Sequence, residues 1–226
     1  MDLEALRNEE RKIWLNVASS RQVLPGFVNF DNSPFLRLLR LAPVVRPILT
    51  AGHRAQLDAF QEARKRAILI RHDCRKRLPL PDACADHVLC SHFLEHVHFD
   101  EMQVILGDFH RVLRPGGTLH VVVPDLAILI DGYLKKKREG EAAQSDAANE
   151  LVRETFLTRE SRGSLTFRLL EFLGGYGLNH RWMYDEASMR ARIREAGFEI
   201  LENSETPSRD YRRDDGISLH LVGARC

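Results

Sequence analysis

Residues 68–125 constrain this chain more than any other stretch. They begin with an apolar run closing in acid, Ile68-Leu69-Ile70-Arg71-His72-Asp73, followed by the proline-bracketed turn Leu78-Pro79-Leu80-Pro81-Asp82. A second short segment, Asp86 to Ser91, leads through Leu94-Glu95-His96 into a helical pattern. That pattern stops at Arg114-Pro115-Gly116-Gly117, before a third segment ending at Pro124-Asp125. Strand, loop, strand, helix, strand at this spacing predicts adjoining units of a parallel sheet whose loops open on one edge. In open α/β sheets that edge, outside the carboxyl ends of the strands, is where ligands bind.

The flanking segments extend the same plan. Ile13-Trp14-Leu15-Asn16-Val17 reads as a strand buried on both faces and runs into Ala18-Ser19-Ser20. Phe27 to Phe30 is a second strand ending in Asp31, broken by Asn32-Ser33-Pro34. Pro43 and Pro47 divide residues 35–66 into two short helical pieces and a helix over Ala55–Ala67. Within the core segment, Asp100 and Gln103 have the spacing of a capping box, and Met102, Ile105, Leu106, Phe109, Val112 and Leu113 recur at helical period toward the sheet. Residues 133–164 are polar and suit an exposed helical excursion, whereas Leu165–Leu173 is apolar and ends at Gly174-Gly175-Tyr176-Gly177. Asp185 caps a last helix that Gly197 closes. Phe198–Leu201 and Ser218–Val222 then follow with no helix between them, so they pair antiparallel at one edge.

The chain of 226 residues fits one domain, 1–226, with helical insertions at about 35–66 and 133–175. Lys and Arg number 33 against 32 Asp and Glu, a balance that calls for no nucleic acid or anionic membrane as obligate partner. The clusters Arg64-Lys65-Arg66, Arg75-Lys76-Arg77 and Lys135-Lys136-Lys137-Arg138 read as solvated surface. The charged opening residues lack the apolar core of a secretory signal, and no run has the roughly twenty apolar residues of a membrane span. Cys74, Cys84, Cys90 and Cys226 show no disulfide framework, which suits a cytoplasmic protein.

Taken in order, Gly26 through Asp31, Asp73 through Asp82, Ser91 through His96, Arg111 through Gly117, Val123 through Leu126 and His180 through Asp185 resemble the motifs of class I S-adenosylmethionine-dependent methyltransferases. The nearest likeness is to the small bacterial branch assigned to polysaccharide or related small-molecule biosynthesis. The resemblance implies an α/β, Rossmann-like, seven-stranded and mostly parallel sheet with helices on both faces and an antiparallel last strand. It implies S-adenosyl-L-methionine as cofactor and a small-molecule, saccharide-like acceptor methylated at oxygen. A second copy of the chain is the other partner expected. One departure stands out: the first loop of that family carries glycines, and here it reads Ala18-Ser19-Ser20. Glycine permits positive φ and close backbone approach to a ligand. Forcing a residue with a Cβ into that conformation costs about 1–2 kcal/mol.

The resemblance assigns roles residue by residue, each beside a plainer alternative. Ala18, Ser19 and Ser20 would lie near the cofactor's methionine end, with the serine hydroxyls able to bond its carboxylate. Asp31 would accept the ribose hydroxyls; otherwise it forms a turn, although Asn32, Ser33 and Pro34 already supply one. Asp73 and the backbone of Cys74 would meet the adenine, unless Asp73 is a surface acid beside Arg75. Ser91 and His92 end the fourth strand beside the methyl, with His92 the first choice of general base, His180 the second, and Tyr184 lining the pocket. Glu95 and His96 read rather as a pair that fixes the loop. Trp14 and Trp182 read as core or pocket wall. His72, Cys74, Cys90 and His92 have metal-ligand types, but strand order puts the third and fourth strand tips apart, so no metal is expected. Two rival functions stay open: a methyltransferase-like module without catalysis, motivated by Ala18-Ser19-Ser20, and RNA methylation, motivated by the basic clusters.

Overall fold

The computed structural model describes residues 2–20, 22–158, 179–202, 205–208, 211 and 215–226. The apolar run at 165–173 and the glycines at 174–177 therefore lie outside the described residues, as does the end of the excursion that begins at 133.

The strands are β1 (Trp14–Val17), β2 (Val28–Asp31), β3 (Ile68–Arg71), β4 (Ala85–Ser91), β5 (Leu113–Pro124), β6 (Phe198–Leu201) and β7 (Ser218–Arg225). They form one sheet in the order β3-β2-β1-β4-β5-β7-β6. Neighbours from β3 to β5 pair in parallel, and β7 runs antiparallel to both β5 and β6. The fold is thus the Rossmann-like, seven-stranded arrangement that the resemblance implies, with the parallel units that the spacing of 68–125 predicts. Among the described residues no helix is long and apolar enough to cross a membrane.

Between β2 and β3 come α1 (Pro34–Leu38), α2 (Ala42–Val45) and α3 (Ala51–Arg66). The long helix starts earlier than Ala55 because the Thr50 hydroxyl accepts the His53 N–H and caps it. Between β4 and β5 lies α4 (Phe99–Val112). Its cap is His98 with Glu101, whose carboxylate accepts the His98 N–H at 2.9 Å, and not the Asp100–Gln103 pair expected from spacing. The pattern was offset because two acids stand in the first turn and the more C-terminal one reaches back. After β5 the chain forms α5 (Leu126–Lys137) and α6 (Glu141–Thr155), and α7 (Glu186–Glu195) precedes β6. Asp185 caps α7 by accepting the Ser188 N–H at 2.8 Å, and Gly197, at φ +94°, turns the chain into β6.

The chain travels in opposite directions along the sheet from β2 to β3 and from β4 to β5. Right-handed crossovers therefore put α3 and α4 on opposite faces. On the α4 face, Leu15, Val17, Val28, Phe30, Val88, Cys90, Leu119, Val121 and Val123 meet Met102, Ile105, Leu106, Phe109 and Val112 of α4 and Met189 and Ile193 of α7. All are buried, so each large side chain contributes roughly 1.5–3 kcal/mol by leaving water.

Candidate functional site

The strand order reverses between β1 and β4, because β2 and β3 extend to one side of β1 while β4 and β5 extend to the other. Ligands of open α/β sheets bind at such a switch point. The structure has a hollow of about 210 Å³ there, lined by Asn16, Ala18, Ser19, Ser20, Gln22, Ser91, His92 and Tyr211. This is smaller than the roughly 300–1,000 Å³ of sites that enclose drug-sized ligands.

The β1 side of the hollow is a strained turn. Ala18 has φ 55° and Ser20 φ 49°, the left-handed region that favours glycine. Three contacts hold the turn in place. The Ser19 N–H donates to the Phe30 carbonyl at 2.9 Å, and the Ser20 N–H donates to Asp31 Oδ2 at 2.8 Å. The thiol of Cys74 packs below, within hydrogen-bonding reach of the Ala18 backbone, and burial pushes its pKa up to about 12.

Asp31 has a different place from the one expected. Its other oxygen accepts the Ser33 N–H at 2.6 Å, only 9% of the residue is exposed, and it does not line the hollow. Burial raises its pKa, and the two backbone hydrogen bonds pull it partly back. In this conformation it is the clasp of the β1 loop. Asp73 is held by Arg75 Nε at 2.9 Å and Nη2 at 2.7 Å. Burial opposes its ionisation, but the Arg75 hydrogen bonds and charge prevail and its pKa is lowered. Neither acid lines this hollow; sequence spacing locates a strand end but says nothing of which neighbour an acid will bond.

The β4 side ends at Ser91 and His92. His92, at φ 50°, is another left-handed residue, and its N–H donates to the Val122 carbonyl at 2.8 Å. Its Nδ1 lies 3.1 Å from Glu95 Oε1 and its Nε2 3.1 Å from Ser218 Oγ, which donates to Asp215 Oδ2 at 2.6 Å. The hydroxyls of Ser19 and Ser91, on the two sides of the hollow, are buried and have no hydrogen-bond partner. A buried hydroxyl left so costs about 1–3 kcal/mol, which a polar ligand would recover.

Beyond His92 a second group of side chains converges on Glu95, which is 0% exposed. His96 and His180 meet edge to face with ring centroids 4.9 Å apart. Backbone bonds fix the meeting: the Glu95 carbonyl accepts N–H groups from Arg181 and Trp182, and the His180 N–H donates to the Phe156 carbonyl at 2.9 Å. The pKa of His180 is lowered, chiefly by burial, against the raising effect of Glu95. Tyr184 is buried in the core cluster with its hydroxyl unpartnered, and burial together with Glu95 raises its pKa. Trp182 is not core: it is 46% exposed and packs on Phe99. Trp14 packs on Phe27, 5.4 Å between centroids.

The four residues with metal-ligand types do not assemble. His72 Nε2 faces the Lys76 carbonyl at 3.3 Å, and His92 faces Glu95 and Ser218. The distance argument needs one correction, because Cys74 sits on the loop after β3 and folds back far enough for its thiol to feel that of Cys90.

Sequence reading picked out Ala18, Ser19, Ser20, Ser91 and His92, and these do come together. Asn16, Gln22 and Tyr211 were missed. Asn16 carried a signal, being the one polar residue inside an apolar strand. Tyr211 carried none, since it lies in a connection without periodicity.

A family model described as a methyltransferase domain matches residues 48–121. A probable S-adenosylmethionine-dependent methyltransferase of Mycolicibacterium smegmatis is 36% identical over 85 residues, 38% of this chain. The match spans 32% of that relative's length. Among solved structures, the PH0226 protein of Pyrococcus horikoshii has a TM-score of 0.52 at 14% identity, covering 95% of this chain and 82% of that one. That likeness supports the fold. The family match includes β3, β4, α4 and the Glu95 turn, and it leaves out the β1 loop.

Proposed function

We propose that this protein is an S-adenosylmethionine-dependent methyltransferase that methylates a hydroxyl of a small, saccharide-like acceptor, in polysaccharide or related biosynthesis in the cytoplasm. One observation carries the reading: Ser19 and Ser91, whose hydroxyls are buried and unpartnered, both line a hollow at the β1–β4 switch point. The methyltransferase-domain match over 48–121 points the same way.

The residues fit such a cofactor once the β1 loop opens. Ser19 and Ser91 offer hydrogen bonds to its polar amino-acid end. Each Asp31 oxygen accepts one N–H now and keeps acceptor capacity for a ribose hydroxyl. When bound, the cofactor supplies an electrophilic methyl on a sulfonium. The chain's own work is to hold an acceptor oxygen in line and to take its proton, and positioning of this kind lowers barriers by several kcal/mol, up to about 7–11. His92 stands on the rim of the hollow, between Glu95 and the Ser218–Asp215 pair, and in this reading it accepts the proton after its ring turns from these partners, which stand at both nitrogens here.

Thermal unfolding and calorimetry with S-adenosylmethionine and S-adenosylhomocysteine test it. Ligand at about 100 times its Kd stabilises the folded state by about 2.7 kcal/mol. Ser19→Val and Ser91→Val should each weaken the response. No response at millimolar ligand overturns the proposal and leaves the second reading, a module without catalysis, which the left-handed Ala18 and Ser20 and the small hollow favour.

A further inference from the structure

We propose that Glu95, His96 and His180 form a binding site for a first-row divalent cation such as zinc. Each offers one ligand atom, and the three atoms lie within 4.8 Å of one another. Atoms bound to one ion at about 2.0–2.2 Å are at most about 4.4 Å apart, so small side-chain rotations complete the site.

Glu95 is the strongest element of the argument. It is fully buried, and neither carboxylate oxygen has a hydrogen-bond partner. His92 Nδ1 comes within 3.1 Å of Oε1 without the alignment of a hydrogen bond. A buried carboxylate without hydrogen bonds is costly, and a cation between it and two imidazoles removes the cost. His180 contributes independently, because its Nδ1 is also buried and unpartnered.

His96 is oriented as a ligand. Its Nδ1 lies 3.0 Å from the Asn179 carbonyl. A carbonyl only accepts, so the hydrogen is on Nδ1, and the neutral ring keeps the lone pair on Nε2. A backbone carbonyl on the far nitrogen is the usual outer support of a metal-binding histidine. Two imidazoles and one carboxylate are a donor set that zinc accepts with a fourth position open. His92 lines the hollow and lies 3.1 Å from Glu95, so a bound ion would stand next to the ligand-binding edge. His180 then acts as a ligand and not as a proton acceptor. The inference does not depend on methyl transfer.

The test uses the full chain, stripped with chelator and dialysed, and titrated with zinc chloride by calorimetry. Cobalt is the spectroscopic probe, and thermal unfolding is followed in parallel. The expected result is one equivalent bound at micromolar Kd or tighter, visible cobalt absorption, and a raised Tm. His180→Ala and Glu95→Gln should each weaken binding at least tenfold, while His53→Ala, a surface control, leaves it intact. If Glu95→Gln fails to fold, His96→Gln takes its place. Absence of saturable binding overturns the proposal. So does binding unchanged in the His180 and Glu95 variants, or a Glu95→Gln protein more stable than wild type while wild type ignores zinc, which would assign the orphaned oxygens to internal water. Titrating S-adenosylmethionine into the same metal-free sample reports on the methyltransferase reading separately.

Discussion

The two faces of the sheet are built from the same strands and behave differently. Toward α4 and α7 the inward residues are apolar, Cys90 among them, and form one buried cluster. The opposite face carries Asn16, Asn29, His87 and His120, all buried, beside the small apolar cluster of Phe27, Leu89 and Val122. Asn29 accepts from Asn16 Nδ2 at 2.8 Å and from the Leu24 N–H at 2.8 Å, and donates to carbonyls of Leu24, Phe27 and Ile68. His87 Nε2 and His120 Nδ1 share the Ser208 hydroxyl at 2.7 and 2.8 Å, and Thr118 Oγ1 closes the other end at 2.7 Å. One face holds the elements together by area; the other ties down the loops that shape the hollow through directional bonds. The lesson is that stability and site architecture are assigned to opposite sides of one sheet.

Breaking the apolar face should give the largest effect. Phe109→Ala removes a ring from the centre of the α4 contact and should cost about 3–5 kcal/mol, read from urea unfolding. A loss under about 1 kcal/mol would mean the two faces do not divide the work in this way.

Acid should act on the polar face. The pKa of His87 is pushed down to about 3, mainly by burial and then by the charge of His120. An unfolded histidine titrates near 6.5. Between those values the unfolded chain binds the extra proton, so stability falls as pH drops below about 6.5. From pH 7 to pH 5 the loss from this group is on the order of 2 kcal/mol. Unfolding midpoints at pH 7, 6 and 5 should show that slope in the wild type and a shallower one in His87→Gln.

The smallest effect sharpens the comparison at the hollow. Ser20→Gly should stabilise by about 0.5–1 kcal/mol, because relief of the left-handed strain exceeds the added flexibility of the unfolded chain. A loss of stability would show that the side chain does more there than its conformation costs.

Much of the fold was legible because its signals are local. The apolar period of α4, the prolines around 79–81, the Asp185 cap and Gly197 each act within a few residues, and the elements stand where these signals put them. The cap of α4 and the start of α3 were displaced by one or two contacts that spacing does not resolve. The site was legible in outline. The 18–20 loop and Ser91–His92 followed from strand ends and the family resemblance, which gave Asp31 the ribose and Asp73 the adenine; in the structure Ser20 and Ser33 bond Asp31 and Arg75 bonds Asp73.

By itself the sequence determined the succession of strands and helices, the side of α4 that is buried, and a first loop that must turn without glycine. Only the tertiary structure decided that Ser19 and Ser91 line one hollow, that Asp31 clasps the loop, and that His180 from a distant segment joins Glu95 and its neighbour His96. Periodicity and capping are short-range preferences that a chain expresses wherever it lies. Which polar groups meet depends on strand register and on backbone bonds closed across the whole sheet, and those exist only once the chain has folded.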